Sequence, residues 1–406
     1  MRVALCCLML LAACQSKDKP KQTEPTPGSQ SQPPGSASQS SSQSSTRSDE
    51  PVPDNKHPQL ALPPLPDPLP GKRKDLTAVV GTAWRAAIGD VDGDRKRELV
   101  VVDSKQLRVV DVTGKQIASA PIAAGIHVLV AHDLDGDGRA EILAGWGQSR
   151  DHMTAKARIT VHRLKGKELV EEVIVAPETE RAEVVAIVPV DKQAVLVAYY
   201  DSKFMVTSTT AKRGAQGWQL DKLASIRMAT SYARGDLDGD GKPELVVGRI
   251  YGDDKGIDGD AFVLAADGTR TKLPTTRGLR SLAIIGGAVY VGDGWHQNYG
   301  KYARGLFTRI ARAGDSFAAE LVENTPGQYG IERIVPASSD GKQLIITLGS
   351  HYARAYALVD GKWRGLTIGG AARDIAVGDL DGQPGDEIVI VGDKSEIVDL
   401  RGVSFQ

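Results

Sequence analysis

The chain has 406 residues, and its 50 Lys and Arg residues nearly balance its 51 Asp and Glu residues. This balance provides no global field that would favour nucleic acid or an anionic membrane surface as a partner. The length admits two or three ordinary domains or one large repeat domain. Aromatic residues make up 5% of the chain, and Val, Ile, Ala and Gly dominate after residue 75, which favours many short strands and tight turns.

The N-terminus reads MRVALCCLMLLAAC, in which one arginine precedes an apolar run too short to span a bilayer. This pattern is typical of a secretory signal peptide. Leu11-Ala12-Ala13-Cys14 resembles the lipobox of bacterial lipoproteins, which implies cleavage before Cys14 and lipidation of that residue. An ordinary signal peptide with incidental cysteines is the alternative. We expect residues 1–14 to be a lipoprotein signal peptide and the exported protein to be lipid-anchored to a bacterial membrane. Gln15 favours the outer membrane over the inner one.

Residues 15–73 are rich in Ser, Gln and Pro, with stretches such as SQSQPPGSASQSSSQSS and PPLPDPLP. This composition cannot bury enough apolar surface to offset the entropy of ordering the chain. We expect a disordered tether here, flexible in its first half and more extended in its Pro-rich second half. All three cysteines lie at or before Cys14, so the mature chain would hold no disulfide.

Four later stretches share an acidic motif placed just before a β-branched run. They are IGDVDGDRKRELVVV from Ile88, AHDLDGDGRAEILAG from Ala131, GDLDGDGKPELVVG from Gly235 and GDLDGQPGDEIVIVG from Gly378. Copies without the acids occur at 182–200, 280–294 and 331–349. Seven units of about 48 residues, each long enough for four short strands, indicate a repeat architecture of the β-propeller type.

We therefore predict an all-β domain over residues 74–406, a seven-bladed β-propeller with four-stranded blades. Six or eight blades remain alternatives. Gly71–Asp90 aligns without gaps to Gly114–Asp133, so the N-terminal segment carries an outer strand with no blade before it. We expect Leu76–Val80 to complete the last blade and close the ring, which would remove exposed sheet edges.

The clearest acidic turn runs from Asp236 to Glu244, with carboxylates at positions 1, 3, 5 and 9 of the turn. Side chains at positions 1, 3 and 5 can converge on one point, and glycines permit the left-handed backbone that curls the turn. The beginning is similar to an EF-hand loop, but the last acid comes at position 9 instead of 12, and strands flank it. Oxygen-only ligands favour Ca²⁺ over zinc or copper.

These features resemble the FG-GAP/VCBS-repeat β-propellers, the family that includes the head of integrin α-chains. The resemblance covers about residues 74–406. It implies that each acidic turn joins the two innermost strands of a blade and binds Ca²⁺, in a structural role. Carried over by position, the candidate ligands are Asp236, Asp238, Asp240 and Glu244; Asp133, Asp135, Asp137 and Glu141; Asp90, Asp92, Asp94 and Glu98; and Asp379 and Asp381. Asp-Gly turns that only build hairpins are the alternative.

Two of the four turns, those at Asp90 and Asp379, depart from the full motif. Arg95 stands at position 6 of the turn at Asp90, where glycine is expected. In the turn at Asp379, Gln383 stands at position 5 and Pro384 at position 6. Both differences weaken the match to a metal loop, and those in the last turn weaken it most.

The loops on the face opposite the acidic turns are richer in aromatic and cationic residues. A rim of this composition is typical of binding hot spots, although such side chains also seal strand ends. The candidate ligand-face residues are Trp84, Trp146, Arg249, Tyr251, Trp295, His296, His351 and Tyr352.

Motifs for familiar enzyme chemistry are missing from the sequence. It contains no G-x-S-x-G elbow, H-E-x-x-H helix or P-loop, and the mature chain would have no cysteine nucleophile. We predict a monomeric, non-catalytic binding or scaffold protein that recognises a protein or glycan. A Ca²⁺-dependent polysaccharide lyase or hydrolase is the alternative, because acids and histidines on the aromatic face could form an acid–base pair.

Overall fold

The computed structural model describes residues 64–148, 154–179, 183–201, 204–250, 259–275, 279–293, 305–325 and 330–406. These residues belong to one compact unit, and the fold is all-β apart from a single four-residue helix in the described part. No helix within those ranges is long and apolar enough to cross a membrane. The predicted signal peptide, Cys14 and most of the predicted tether lie outside the described residues.

The strands follow one another in sets of four, which we call units 1 to 7. The chain first forms β1 (Lys72–Asp75) and the helix α1 (Thr77–Val80). Unit 1 contains β2 (Arg85–Gly89), β3 (Glu98–Val102), β4 (Gln106–Val110) and β5 (Gln116–Pro121). Unit 2 contains β6 (Gly125–His132), β7 (Glu141–Gly147), β8 (Arg158–Lys165) and β9 (Glu168–Val175). Unit 3 contains β10 (Val184–Pro189), β11 (Ala194–Tyr200), β12 (Met205–Gly214) and β13 (Gly217–Arg227).

The second half of the chain continues the same succession. Unit 4 contains β14 (Ala229–Gly235), β15 (Glu244–Arg249), β16 (Ala261–Leu264) and β17 (Arg270–Lys272). Unit 5 contains β18 (Leu279–Ile285), β19 (Ala288–Asp293), β20 (Gly305–Ala313) and β21 (Ser316–Thr325). Unit 6 contains β22 (Ile331–Ser339), β23 (Lys342–Gly349), β24 (Ala353–Val359) and β25 (Lys362–Gly369). Unit 7 contains β26 (Asp374–Gly378), β27 (Glu387–Val391), β28 (Glu396–Asp399) and, as its outer strand, β1.

Neighbouring strands within each unit pair antiparallel, in the order in which they follow along the chain. Unit 7 is the exception, because its fourth strand comes from the N-terminal segment and gives the order β1-β28-β27-β26. Units 1 and 2 are connected into one eight-stranded sheet. The connection is a single parallel residue pair between β5 and β9, Ser119 with Glu168.

The N-terminal segment closes the last sheet earlier in the chain than expected. The closing strand is Lys72–Asp75, which pairs with β28 and begins two residues before the predicted domain start. The prediction that Leu76–Val80 forms this strand is wrong, because residues 77–80 are helical. Leu76 and Val80, four residues apart, are both buried between units 7 and 1, and that spacing suits one face of a helical turn.

In units 1, 2, 4 and 7, which contain the acidic motifs, the second strand is buried on both faces. All five residues of β3 are buried. Leu99 and Val101 pack in a cluster with unit 7, whereas Val100 and Val102 pack in a cluster with unit 2. Successive side chains of a strand point to opposite faces, so both faces of this sheet meet a neighbouring sheet. A strand that is buried on both faces has apolar residues at successive positions, as in the run LVVV.

The buried apolar residues that the structure describes form seven clusters, each between two neighbouring units. They join units 1 and 2, 2 and 3, 3 and 4, 4 and 5, 5 and 6, 6 and 7, and 7 and 1. The first strands of the units also contact one another in this order, and β26 of unit 7 contacts β2 of unit 1. Within the described residues, each unit therefore contacts the next one along the chain, and the last contacts the first.

Candidate metal centres

The four acidic turns occupy the same place in their units. Each joins the first strand to the second: β2 to β3, β6 to β7, β14 to β15 and β26 to β27. They therefore lie in units 1, 2, 4 and 7, and we call them the first to fourth acidic turns. The carboxylate groups in the described residues that could hold a metal ion lie in these four turns.

The third acidic turn shows how the backbone and the carboxylates fit together. Asp236 accepts hydrogen bonds from the backbone N–H groups of Gly239 at 2.6 Å and Gly241 at 3.0 Å. Asp238 Oδ1 accepts from the N–H of Asp240 at 3.1 Å. Glu244 Oε2 reaches back from β15 to accept from the N–H of Leu237 at 2.7 Å. These bonds fix the side chains at positions 1, 3 and 9 toward the inside of the turn.

The same bonds recur in the other acidic turns, which explains their shared sequence pattern. The position-9 bonds are Val91 N to Glu98 at 2.7 Å, Leu134 N to Glu141 at 2.8 Å and Leu380 N to Glu387 at 2.7 Å. The aspartate at position 1 accepts a hydrogen bond from the backbone N–H at position 4. The donors are Gly93, Gly136 and Gly382, each at 2.7 Å. Pro384 has no N–H, so the fourth turn lacks the bond that Arg95, Gly138 and Gly241 donate in the others.

Position 6 of the turn requires a left-handed backbone. Gly138 and Gly241 have φ of 91° and 80°, and Arg95 has φ of 71° at the equivalent place. A non-glycine residue in this region costs about 1–2 kcal/mol.

Substitution Arg95→Gly is therefore expected to raise the free energy of unfolding by about 0.5–1 kcal/mol, since part of the relieved strain is offset by the greater freedom of glycine in the unfolded chain. Denaturant unfolding measures this change. Arg139→Gly, a substitution on the neighbouring acidic turn without the positive φ, is the control and should not stabilise. A destabilised Arg95→Gly variant would contradict the strain at this position.

Carboxylate oxygens converge in each acidic turn. One ligand atom from every member of a group lies within 4.8 Å of the others, and the groups are Asp90, Asp92 and Asp94; Asp133, Asp135 and Glu141; Asp236, Asp238 and Glu244; and Asp379, Asp381 and Glu387. The donor set consists of oxygen alone, the chemistry that Ca²⁺ prefers. The residues present therefore fit that ion.

Three predicted ligands stand apart from these close groups. Asp137 and Asp240 accept hydrogen bonds from the N–H groups two residues later, Arg139 and Lys242, each at 2.7 Å. Glu98 accepts the N–H of Val91, the same bond that Glu141 and Glu244 make within their groups. Glu387, by contrast, joins the fourth group although it is not among the ligands predicted from the sequence. Its signal was available, because it follows Asp379 by eight residues, the spacing of the other three turns.

Burial and mutual repulsion make it costly to ionise the glutamates of these turns when no cation is bound. Burial, together with the charges of Asp92 and Asp90, raises the pKa of Glu98 to about 7. Burial also raises the pKa of Glu141 and of Glu387, with nearby aspartates adding to both shifts. A bound cation would stabilise the ionised forms and offset this cost.

The described cationic side chains are distributed unevenly among the turns. No such side chain forms an ion pair with the aspartates of the first turn. At the second, Arg163 Nε lies 3.3 Å from Glu141 Oε1. At the third, Arg312 Nη1 lies 3.1 Å from Asp238 Oδ2. Arg163 also pairs with Glu172 at 2.7 Å, and Arg213 Nη1 lies 4.0 Å from Asp135 Oδ2 of the second turn.

The fourth turn already contains a cation of its own, the guanidinium of Arg401. Its Nη2 donates to Asp381 Oδ2 and to Glu387 Oε1, both at 2.6 Å, and its Nε donates to Asp399 Oδ1 at 2.8 Å. The hydrogen bond from Arg401 is the main reason that the pKa of Asp381 lies below its ordinary value. The guanidinium of Arg401 thus pairs with two carboxylates of the fourth turn, Asp381 and Glu387, which also belong to its candidate metal group.

The predicted ligand-face residues are used mainly for internal packing where the structure describes them. Trp146 is 1% exposed, and its indole N–H donates to Thr160 Oγ1 at 2.6 Å. Arg249 is 3% exposed and forms two hydrogen bonds to Asp260, each at 2.6 Å. Tyr352 is also buried. Burial leaves these three side chains little surface for a ligand.

The other candidates on this face differ among themselves. Trp84 is half-buried, with the Arg373 guanidinium carbon 5.9 Å from its ring centroid. His351 is half-buried and lies edge-on to Tyr352, with 6.5 Å between ring centroids. Tyr251, Trp295 and His296 lie outside the described residues.

Side chains on this face tie one unit to the next. Arg85 Nε donates to the carbonyl of His127 at 2.8 Å, from unit 1 to unit 2. Thr230 donates to the carbonyl of Leu279 at 2.6 Å, and Ser281 donates to that of Ile331 at 2.7 Å. These contacts hold the ends of neighbouring first strands together.

Trp146 belongs to a buried polar chain that ends at His162. Thr160 Oγ1 lies 3.0 Å from His162 Nε2, and the histidine is 2% exposed with no hydrogen-bond partner at Nδ1. Burial, and secondarily the charge of Arg158, lowers the pKa of His162 to about 4. The imidazole is therefore neutral in the folded protein at neutral pH.

Acid is expected to destabilise the protein partly through this residue. As pH falls below about 6.5, the unfolded chain binds a proton that folded His162 takes up only near pH 4, so stability present above pH 6.5 is lost over that window. The loss amounts to about 3 kcal/mol at most. Unfolding of His162→Gln at pH 7 and pH 4.5 should show a smaller acid loss than the parent chain. An equal loss in both would contradict this account.

No protein-family model matches the sequence, and a search of curated proteins finds no match. The similarity to FG-GAP/VCBS repeats therefore rests on the acidic turns and their spacing.

Proposed function

We propose that this protein is an exported, lipid-anchored β-propeller of the FG-GAP/VCBS type, with structural Ca²⁺ in its acidic turns and a non-catalytic binding or scaffold function. In this proposal the seven units are seven blades arranged around a common axis. The lipid on Cys14 anchors the chain to a bacterial membrane, and the segment up to β1 is the tether.

Support for the propeller comes from the cyclic order of the units. In the described residues, seven clusters of buried residues lie between successive units, and the last cluster joins unit 7 to unit 1. A strand from the N-terminal segment completes unit 7. Closure of this kind leaves no first or last sheet in the cycle, which suits a protein that has no disulfide in its mature chain.

The observation that carries the proposal is the repetition of one turn geometry in one hairpin of four units. The first three turns would hold Ca²⁺ through Asp90, Asp92 and Asp94; Asp133, Asp135 and Glu141; and Asp236, Asp238 and Glu244. The bound ion would neutralise the clustered carboxylates and stabilise the hairpin. Because the bacterial interior is poor in free Ca²⁺, this would also couple complete folding to export.

A binding role is favoured over catalysis because buried charged side chains form ion pairs with one another inside the protein. Arg249 is paired with Asp260, and Asp374 is paired with Arg333 while accepting the N–H of Ala86 at 3.0 Å. Each of these charges stabilises a contact within a unit or between units. A rigid scaffold with such internal pairing is suited to presenting a surface to a protein or glycan partner.

Binding of the exported chain to a glycan array and to separated envelope proteins tests this function. We expect a bound partner that is released on chelation of Ca²⁺ and that is recovered chemically unchanged. Absence of any partner in both sets would contradict the binding role. Release of new reducing ends or unsaturated uronates would support a lyase or hydrolase instead.

A further inference from the structure

A polar cleft lies between units 5 and 6, and its lining includes no residue of the acidic turns and none of the predicted ligand-face residues. Its volume is about 560 Å³, within the range of about 300–1,000 Å³ that is typical of small-molecule sites. Residues of both units line it, and all of the lining residues are described.

The wall from unit 5 is a row of polar side chains across three strands. Tyr290 on β19 is paired with Arg309 on β20, which is paired with Glu320 on β21. Residues directly opposite each other in antiparallel strands place their side chains on the same face. Arg309 Nη1 lies 3.3 Å from Glu320 Oε2, and both side chains remain about a third to a half exposed.

The wall from unit 6 supplies an aromatic ring and an amide. Trp363 on β25 is paired with Leu358 on β24, and Leu358 is 57% exposed. Gln343 Oε1 approaches the turn of unit 5 at Gly286, where an added Cβ would lie 3.5 Å away. Lys342 and Gln343 are exposed, and no described residue forms a hydrogen bond or ion pair with either side chain.

Contacts across the cleft hold the indole of Trp363 in a fixed orientation. Its N–H donates to Glu320 Oε1 at 3.1 Å. Its ring lies at 85° to that of Tyr290, with 6.0 Å between centroids. The indole nevertheless remains only half-buried, so a rigid aromatic surface is available to a ligand.

The combination of groups specifies the chemistry of that ligand. A pyranose ring presents C–H groups that pack on an aromatic surface, and pairs of hydroxyls suit planar groups such as those of Arg309, Glu320 and Gln343. The two cations outnumber the one carboxylate, so a negatively charged ligand is favoured. Lys342 provides the point charge for a carboxylate.

We propose that this cleft binds a saccharide that carries a carboxylate, such as a uronic acid within an acidic polysaccharide. This inference deepens the proposed binding function and rests on it. The lining is particular to this pair of units, because a cleft of about 480 Å³ between units 3 and 4 is lined mainly by aliphatic residues, including Leu196, Leu223 and Leu264. That second cleft provides a matched control within the same chain.

Titration calorimetry of the full exported chain with trigalacturonate, its methyl ester and hexaglutamate tests the site. We expect trigalacturonate to bind, Trp363→Ala to weaken it about thirtyfold and Lys342→Gln to weaken it about tenfold while affecting the methyl ester little. Trp363→Phe preserves packing and should weaken binding less than Trp363→Ala. Leu223→Ser, in the aliphatic cleft, should bind as the parent chain does.

Several results would overturn the proposal. They are no binding of trigalacturonate by the parent chain, equal affinity of the Trp363→Ala and Leu223→Ser variants, and tighter binding of hexaglutamate with the same dependence on Trp363. The last result would assign the cleft to an acidic peptide. None of these results alters the response of thermal stability to Ca²⁺ described below, so failure of this site is distinguishable from failure of the proposed function.

Discussion

Chelation of Ca²⁺ with EGTA is expected to lower the midpoint of thermal unfolding by about 15 °C. The first three acidic turns each bring together carboxylate oxygens within 4.8 Å. An ion present at about 100 times its dissociation constant stabilises a site by about 2.7 kcal/mol, and three sites by about 8 kcal/mol. A change of 1 kcal/mol shifts the midpoint by about 2 °C in a chain of this size. Differential scanning calorimetry with and without chelator measures the effect.

Variants in unit 4 provide the control for this prediction. Asp236→Asn combined with Asp238→Asn should remove about one third of the stabilisation, because one of the three sites is lost. Asp267→Asn in the outer hairpin of the same unit is the matched control, since Asp267 makes a similar turn bond to the N–H of Thr269 at 2.8 Å without a carboxylate cluster. A midpoint that does not change on chelation would contradict the metal assignment for all three turns.

Substitution Arg401→Gln is expected to destabilise the Ca²⁺-free protein by about 3–5 kcal/mol. The guanidinium contacts Asp381, Glu387 and Asp399. The side chain of Glu387 is 4% exposed, and removing the partner of a buried charge leaves it uncompensated. Denaturant unfolding in the presence of chelator measures the loss. Arg312→Gln, which removes a contact to the single, more exposed carboxylate of Asp238, should cost less than about 1 kcal/mol.

Added Ca²⁺ should rescue the Arg401→Gln variant. Without the guanidinium, Asp379, Asp381 and Glu387 form a group of the same kind as those of the second and third turns. The variant should therefore bind one more ion per chain than the parent, and its stability should recover with Ca²⁺. Equal losses in Ca²⁺ and in chelator, with no additional ion bound, would show that Arg401 does not stand in for a metal.

The all-β fold and the acidic turns could be predicted from the sequence because both depend on local patterns. Alternating and continuous apolar runs indicate strands, and the spacing of Asp236, Asp238 and Glu244 brings their oxygens together within one hairpin. The position of the closing strand could not be predicted in this way. Lys72–Asp75 contains no apolar residue that marks an outer strand, whereas Leu76–Val80 resembles a strand although residues 77–80 turn as a helix.

The parts of the site that depend on distant contacts were also missed. Arg401 lies 20 residues from Asp381, beyond the end of β28, and only the folded unit shows that its guanidinium enters the fourth turn. Trp146 and Arg249 have the composition of binding residues, but Thr160 and Asp260 on neighbouring segments satisfy their polar groups inside the protein. Composition alone does not distinguish a buried polar contact from an exposed hot spot.

Equilibrium dialysis of the exported chain against radioactive calcium tests the central claim most directly. The account predicts three ions bound per chain, lowered to two by Asp236→Asn with Asp238→Asn and raised to four by Arg401→Gln. A chain that binds no calcium would contradict the assignment of the acidic turns as metal sites.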